Sequence, residues 1–248
     1  MNNIADKTRR SRRTFSEIDN DIMHATKELI EEHGFTNLTL RSIIAKAGIE
    51  AKVFYHRYKD LNALLEEFIR QYDYWFNDII SLFTDIPKEE YPQYFDRIIT
   101  TLTESLYSNK SMQQILLWEL AEDNSITRKT AELKEVNTQL MAKTFQNYFD
   151  ENGIDVDFGI FSALIIGGIY YLILHKERST FSGVDFNSKE GKARLVNTIN
   201  KVISIVLESK SLKNDNTIYI ARKLKNKGVD ENTISESTGL SFDFIISL

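Results

Sequence analysis

Two short stretches carry side chains suited to gripping a charged polymer. Between residues 41 and 59 stand Arg41, Ser42, Lys52, Tyr55, His56, Arg57 and Lys59, interleaved with apolar residues. Cations, hydroxyls and an imidazole in this setting suit hydrogen bonding to phosphate oxygens and base edges. The second stretch, Lys7, Arg9, Arg10, Arg12 and Arg13, lies in a polar arm at 1–13. The residue types of catalysis do not assemble beside them. The chain has no Cys, hence no thiol nucleophile, zinc-thiolate site or disulfide. No two of His24, His33, His56 and His175 lie three to five residues apart, the spacing of a His-pair metal motif. No glycine-rich phosphate loop follows a strand pattern, and pairs such as Glu89–Glu90 fall on amphipathic helical patterns and read as solvated charge. The expectation is a chain without catalytic residues, cofactor or metal.

The charge distribution supports a confined contact. The net charge is −5 over 248 residues. Before residue 61 there are eleven cations and nine anions, a balance of +2 that leaves −7 for the remainder. Two local basic clusters on an acidic body fit a limited nucleic-acid footprint.

The elements that must position these residues are helices. Only two Pro and ten Gly punctuate the chain, and no run shows strand alternation, so the fold class is all-α. Residues 1–13 read as a basic, flexible arm and 14–60 as a first domain. Ile18, Ile22, Ala25 and Leu29 give one apolar face to a helix that starts near Ser16, with Thr14 and Glu17 as a capping box and Gly34 as its stop. Thr39 caps a short helix through Ala47, and Gly48 breaks it as a positive-φ residue would. A second short helix spans Ala51 to Arg57. From 61 to 211 the pattern gives a long helix starting at about Asp60, then helices at roughly 89–108, 111–122, 125–151, 155–177 and 188–209. Lys213, Asn214, Asp215 and Asn216 read as a linker to a small appendage at 217–248.

Thr39–Ile49 followed by Glu50–Tyr58 has the spacing of a helix-turn-helix. Ile49, Phe54 and Tyr58 turn inward, which leaves Lys52, Val53, Tyr55, His56 and Arg57 directed elsewhere. A short helix with such groups outward can enter a major groove.

These residues also carry a resemblance. Gly34-Phe35, Thr39-Leu40-Arg41-Ser42-Ile43, Ala47-Gly48-Ile49, Tyr55-His56-Arg57-Tyr58 and Leu64-Leu65 match the TetR family of repressors in order, spacing and type. The resemblance covers residues 16–65. Ile44 departs from the usual Ala, Glu50 from the usual Ser-like cap, and Leu61 from a phosphate-holding Lys that Lys59 replaces two residues earlier. The match implies that Arg41 and Ser42 hold phosphate at the supporting helix. It implies that Lys52, Val53 and His56 reach bases or nearby backbone, and that Tyr55 and Lys59 hold phosphate. Double-stranded DNA is then the partner and a ligand-responsive repressor the expected function. A helical protein-interaction adaptor is the rival reading.

The resemblance further implies a helical C-terminal domain that binds a small-molecule effector and dimerises. Trp75, Trp118, Phe145, Phe149 and Tyr171 are candidate pocket walls, with core packing as the alternative role for each. For dimerisation there is also a physical argument. The uncharged run Phe158–Leu174 is apolar nearly all round, so a face left over from inward packing must also be hidden. Together with Leu195, Val196, Ile199, Val202, Ile203, Val206 and Leu207, it offers a twofold four-helix interface through 155–177 and 188–209. That run is also near the lower length limit of a spanning helix, against which stands burial on most sides by protein. No signal peptide is visible, and a soluble, cytoplasmic protein without a membrane partner is expected. The stretch Lys225-Asn226-Lys227-Gly228 with Ile234–Ser241 resembles a small helix-turn-helix-like tail found on some transposase- and nuclease-related proteins.

Overall fold

The computed structural model describes residues 13–81 and 86–248. Helix α1 (Phe15–His33) buries Ile22, Ala25, Leu29 and Ile30. Its start is fixed as the sequence predicts. Thr14 Oγ1 accepts from the Glu17 amide at 3.2 Å and the Glu17 carboxylate accepts from the Thr14 amide at 2.6 Å. These bonds, backbone first and hydroxyl second, hold the Glu17 carboxyl below its ordinary pKa. Gly34 ends the helix at φ 74°, and a Cβ there would stand 3.2 Å from Gln114 Oε1.

Helix α2 (Leu40–Ala47) begins at the reciprocal cap of Thr39 and Ser42 and ends at Gly48, whose φ 60° and ψ 44° are left-handed. Helix α3 is shorter than the expected Ala51–Arg57: it runs from Ala51 to Tyr55. Helix α4 (Leu61–Ser81) starts where Asp60 Oδ1 accepts from the Ala63 amide at 2.9 Å. It buries Leu64, Leu65, Phe68 and Ile69. The side chains of Trp75, Phe76, Ile79 and Phe83 lie outside the described residues.

A single 3-10 turn at Lys88–Glu90 leads into α5 (Tyr91–Ser108). Then come α6 (Lys110–Ala121), α7 (Ser125–Glu151), α8 (Phe158–His175), α9 (Lys189–Asn226), α10 (Glu231–Thr238) and α11 (Phe242–Ser247). Among the described residues no strand forms beyond an isolated bridge between Phe181 and Val184. The fold is all-α.

The chain divides into two compact units, and the first does not close at the expected boundary after residue 60. It takes in the chain up to residue 82 together with 104–138, so α6 and the adjoining parts of α5 and α7 join α1–α4. Within it α1 packs on both α2 and α6. Phe35 lies flat on Trp118, rings 4.4 Å apart and 3° from parallel. Ser111 Oγ donates to Glu31 at 2.5 Å and Thr36 Oγ1 to Glu122 at 3.1 Å.

The second unit is built on an aromatic cluster. Phe158 is fully buried and stands 4.9 Å from Phe145, 5.1 Å from Phe95 and 5.2 Å from Phe149 between ring centroids. Two expectations fail in this unit. Helix α8 is not covered on most sides: 17% of its apolar window is buried in the chain, at Phe158, Ile169 and Ile173. It is long and apolar enough to cross a membrane by length and composition. The linker at 212–216 is absent, because α9 continues unbroken for 38 residues to Asn226. Polar composition suggested a break, but Lys, Asn and Asp cost a helix only tenths of a kcal/mol each (about 0.7 at most). Between Gly191 and Gly228 there is neither Gly nor Pro to stop it.

The C-terminal end of α9 makes a small core with α10 and α11. Ala221, Ile234 and Ile245 are buried, with Leu224, Val229, Leu240 and Leu248 around them. Lys225 Nζ donates to the carbonyls of Ile245 and Ile246 at 2.7 and 2.8 Å, which satisfies the last turn of α11. Ile234→Ala removes one of three buried residues, at a cost of about 2–4 kcal/mol. So small a core cannot absorb that. Limited trypsin digestion should then cleave at Lys223, Lys225 or Lys227 much faster than in the parent chain, with the main thermal transition unchanged. An unchanged digestion pattern would show that the tail does not depend on this core.

Candidate nucleic-acid interface

The surface around α3 is set by what lies beneath it. Phe54 is fully buried, with Tyr55 and Tyr58 rings 5.6 and 5.5 Å from it. Below, α2 buries Ile43 and Ala47. With this side of α3 fixed inward, Lys52, Tyr55 and His56 are exposed and Val53 is half-buried. Tyr55 keeps 58% of its surface open. Arg41 and Lys59 are exposed too. No ion pair among the described residues involves Arg41, Lys52 or Lys59, whereas Lys46 pairs with Glu28 at 3.3 Å and Glu32 at 3.2 Å. Five of the seven expected DNA-contact residues are therefore exposed, and Val53 is half-buried.

The seventh, Ser42, is engaged by its own helix. Its hydroxyl donates to the Thr39 carbonyl at 2.7 Å, and its amide donates to Thr39 Oγ1 at 3.1 Å. A hydroxyl has one proton, so in this arrangement Ser42 has no donor left for a phosphate. Glu50, at the N-cap of α3, makes no side-chain capping bond. Leu61 is half-buried at the start of α4.

Arg57 corrects the sequence reading. It was grouped with the outward residues on the assumption that α3 continued to it. The helix stops at Tyr55, and the turn that follows carries Arg57 inward, its side chain 4% exposed. Its Nη2 donates to the Phe15 carbonyl at 2.8 Å, its guanidinium carbon lies 3.7 Å over the Phe15 ring, and Nη1 is 3.1 Å from Asp19 Oδ1. This is a hydrogen bond, a cation–π contact and an ion pair from one side chain. Burial, followed by the Asp19 carboxylate, pushes the neighbouring Tyr58 phenol above its usual pKa.

Arg13 also has a local role that composition did not reveal. Its Nη1 donates to Asp21 at 2.6 Å and to the Ala47 carbonyl at 3.1 Å, and Nη2 donates to the Gly48 carbonyl at 2.5 Å. A cation here satisfies carbonyls at the negative end of α2.

The expected effector walls do not form one cluster. Trp118 is in the first unit, buried against Phe35. Phe145 and Phe149 are in the second, filling space with neighbouring rings. Tyr171 is 53% exposed and stacks on His175 at 5.4 Å. The Trp75 side chain lies outside the described residues. A cavity of about 240 Å³ that the sequence did not indicate lies between α4 and α7, lined by Glu66, Ile69, Arg70, Ile126, Lys129 and Leu133 among others. That is below the roughly 300–1,000 Å³ of ordinary ligand pockets.

This geometry, a short exposed helix seated on a capped supporting helix, is that of a helix-turn-helix. Residues 22–68 match the family model described as bacterial regulatory proteins, tetR family. Among solved structures, the fatty acid degradation regulator FadR from Bacillus halodurans is similar at a TM-score of 0.55 and 15% identity, over 79% of this chain and 97% of that one. A TetR family protein from Vibrio parahaemolyticus aligns at a TM-score of 0.48 and 20% identity, over 74% and 97%. At such identities the likeness to FadR concerns the fold. No curated protein matches the chain.

The Arg57 anchor can be tested without DNA. Arg57→Gln should lower unfolding stability by about 1–3 kcal/mol, the range for a hydrogen bond to a charged group. Arg57→Lys should recover only part, since a single ammonium cannot reproduce the planar donor fork. Urea titration followed by circular dichroism measures both. Equal stability of all three chains would mean that the anchor contributes nothing.

Proposed function

We propose that this protein is a ligand-responsive repressor that binds a palindromic operator as a homodimer in the cytoplasm. The observation that carries the reading is the outer face of α3, where Lys52, Tyr55 and His56 stand exposed on a helix whose other side is locked by Phe54. Lys52, Val53 and His56 are suited to base edges and nearby backbone. Arg41, Tyr55 and Lys59 are suited to phosphate, where they fix register without reading sequence. Ser42 belongs to the same surface through its place in the helix start.

The dimer is supported by the open side of α8. Ile160, Leu164 and Tyr171 are 62%, 72% and 53% exposed, and Gly167 and Gly168 lie between them on the same side. A Cβ added to either glycine would meet nothing within 4 Å in this chain. Helix α9 adds Val202 and Ile205, 42% and 57% exposed. An apolar strip left open along α8 calls for a covering surface. Lipid is a poor candidate. Phe158 of α8 packs against rings from α5 and α7, and those helices carry Asp96, Arg97, Lys143 and Asp150. Drawing them into hydrocarbon with α8 would be costly. A second copy meets the strip with its own, in a twofold four-helix arrangement. Two recognition helices then read half-sites about one DNA turn (roughly 34–36 Å) apart.

Occupying a promoter represses it. Release by an unidentified small molecule requires that the effector favour one of two arrangements. The Phe35–Trp118 stack and the Ser111–Glu31 bond support α6 as the helix through which the DNA-binding domain feels that choice.

Selection of duplexes from a random double-stranded library by the full chain should return an inverted repeat. Lys52→Ala with Tyr55→Ala should weaken retention of that duplex at least a hundredfold, at about 1–3 kcal/mol per lost contact. Leu164→Glu should give a monomer in sedimentation and weaken operator binding, with helix content unchanged. Retention by the folded double variant at parental strength would refute the reading.

A further inference from the structure

The bend that aims α3 is not locked by its own residues. It turns at Gly48, whose φ 60° and ψ 44° fix the direction of α3 relative to α2. Glycine exchanges such angles for others at little cost. A Cβ added to Gly48 would meet nothing within 4 Å, so packing does not wedge the bend. Glu50, at the start of α3, makes no side-chain capping bond. The consequence for α3 is large. Its five residues rise about 7.5 Å, so a tilt of about 10° moves its far end by roughly 1 Å. A binding constellation must be held within about 0.5 Å.

Arg13 supplies the lock. The peptide planes on either side of the Gly48 Cα carry the carbonyls of Ala47 and Gly48. Arg13 Nη1 donates to the first at 3.1 Å and Nη2 to the second at 2.5 Å. The angle between these two planes is what φ and ψ of Gly48 describe, and one rigid, planar guanidinium grips both. Nη1 also donates to Asp21 Oδ2 at 2.6 Å, so the clasp is itself held by α1. Composition places Arg13 with the cations of a basic arm. In the fold, three of its five N–H donors are spent inside the protein and its charge is met by a carboxylate.

We infer that Arg13 is a specificity-determining residue that does not contact DNA: it clasps the Gly48 bend and so sets the register of Lys52, Val53 and His56 against base edges. The inference rests on the proposed function, since it takes α3 to be the helix in the groove. Arg13 is a positioning residue. Its loss leaves Arg41, Lys52 and Lys59 exposed as before, so the sequence-independent attraction to phosphate survives. Base contacts fail first, because they depend on fixed geometry where bulk attraction depends on charge.

The test is a salt titration of the full chain on a duplex selected from a random library, with an unselected duplex alongside. Arg13→Gln should weaken the selected duplex at least about tenfold, roughly the value of one base contact. It should change the unselected duplex by less than about twofold, which also shows that the variant is folded, and leave the slope of log K against log salt as in the parent. Loss of a phosphate contact would instead make that slope shallower by about 0.9. Arg13→Lys should recover only part of the selectivity, because one ammonium cannot hold two carbonyls and a carboxylate in a plane.

A double-mutant cycle shows whether Arg13 acts through the base-reading residues. In a background of Lys52→Ala with His56→Ala, Arg13→Gln should have little further effect on the selected duplex. A merely structural Arg13 would cost the same in both backgrounds. An unchanged ratio of selected to unselected affinity, a shallower salt slope, or strict additivity in the cycle overturns the inference. Any of these leaves the proposed function standing so long as the parent still selects an inverted repeat through Lys52 and Tyr55. Failure of the parent to hold any duplex would remove the proposed function, and this inference with it.

Discussion

A five-residue helix cannot hold its own shape in water. The first turn must order several dihedrals for each hydrogen bond gained, so isolated helices shorter than about 12 residues are marginal. Everything that α3 presents to a partner therefore depends on restraints from outside it. Phe54 supplies the buried side. The left-handed Gly48 sets the angle at which the chain leaves α2. Arg57 ties the far end to Phe15 and Asp19, and Arg13 ties the near end to the beginning of α1. Both ends of the recognition segment are thus fastened to the first residues of one longer helix. That helix packs on α6, where Phe35 lies on Trp118 and Glu31 accepts from Ser111. A contiguous route of packed and hydrogen-bonded side chains joins α6 to α3 inside a single compact unit. Such a route is the minimum that any switching of the α3 surface would require.

Local features of this arrangement were legible in the sequence, and the distant ones were not. Thr14 with Glu17, Thr39 at the start of α2, and Gly48 at its end act on residues within one turn of themselves, so spacing alone identifies them. The inward face of α3 followed from the same periodicity. Arg57 was misread because its direction depends on where α3 stops, and element ends are the least certain part of any reading from pattern. The fate of Arg13 depends on carbonyls of a helix far along the chain, which no local pattern encodes. Trp118 reads from sequence as a pocket wall or a core residue. Its flat contact with Phe35 became visible only when α6 was found against α1. The supposed linker after α9 failed for a different reason: polarity says where a helix meets water, while only Gly, Pro or a capping residue says where it ends. Helix α8 was rightly read as apolar all round, yet composition could not say how little of it the chain itself would cover.

The distribution of ionic partners explains how an acidic protein can still offer a basic contact. Of the cations described in the helices around α3, those that shape this part of the fold are already matched. Arg13 meets Asp21, Lys46 meets Glu28 and Glu32, and Arg57 meets Asp19. Each partner is on α1, so that helix acts as an acidic strut for the basic residues behind the recognition surface. Arg41, Lys52 and Lys59 are exposed and have no such partner among the described residues. The same pairing that rigidifies the scaffold keeps the acidic side chains of α1 occupied, which lowers their repulsion of a polyanion nearby. Salt would therefore act unevenly on this domain. Unmatched cations at the surface are screened within about 8–10 Å at physiological ionic strength, and buried or partly buried pairs such as that of Arg57 are screened much less. Raising salt would loosen the contact with a polyanion well before it loosened the clasp that presents the contact, so affinity can vary steeply while the geometry of recognition stays fixed.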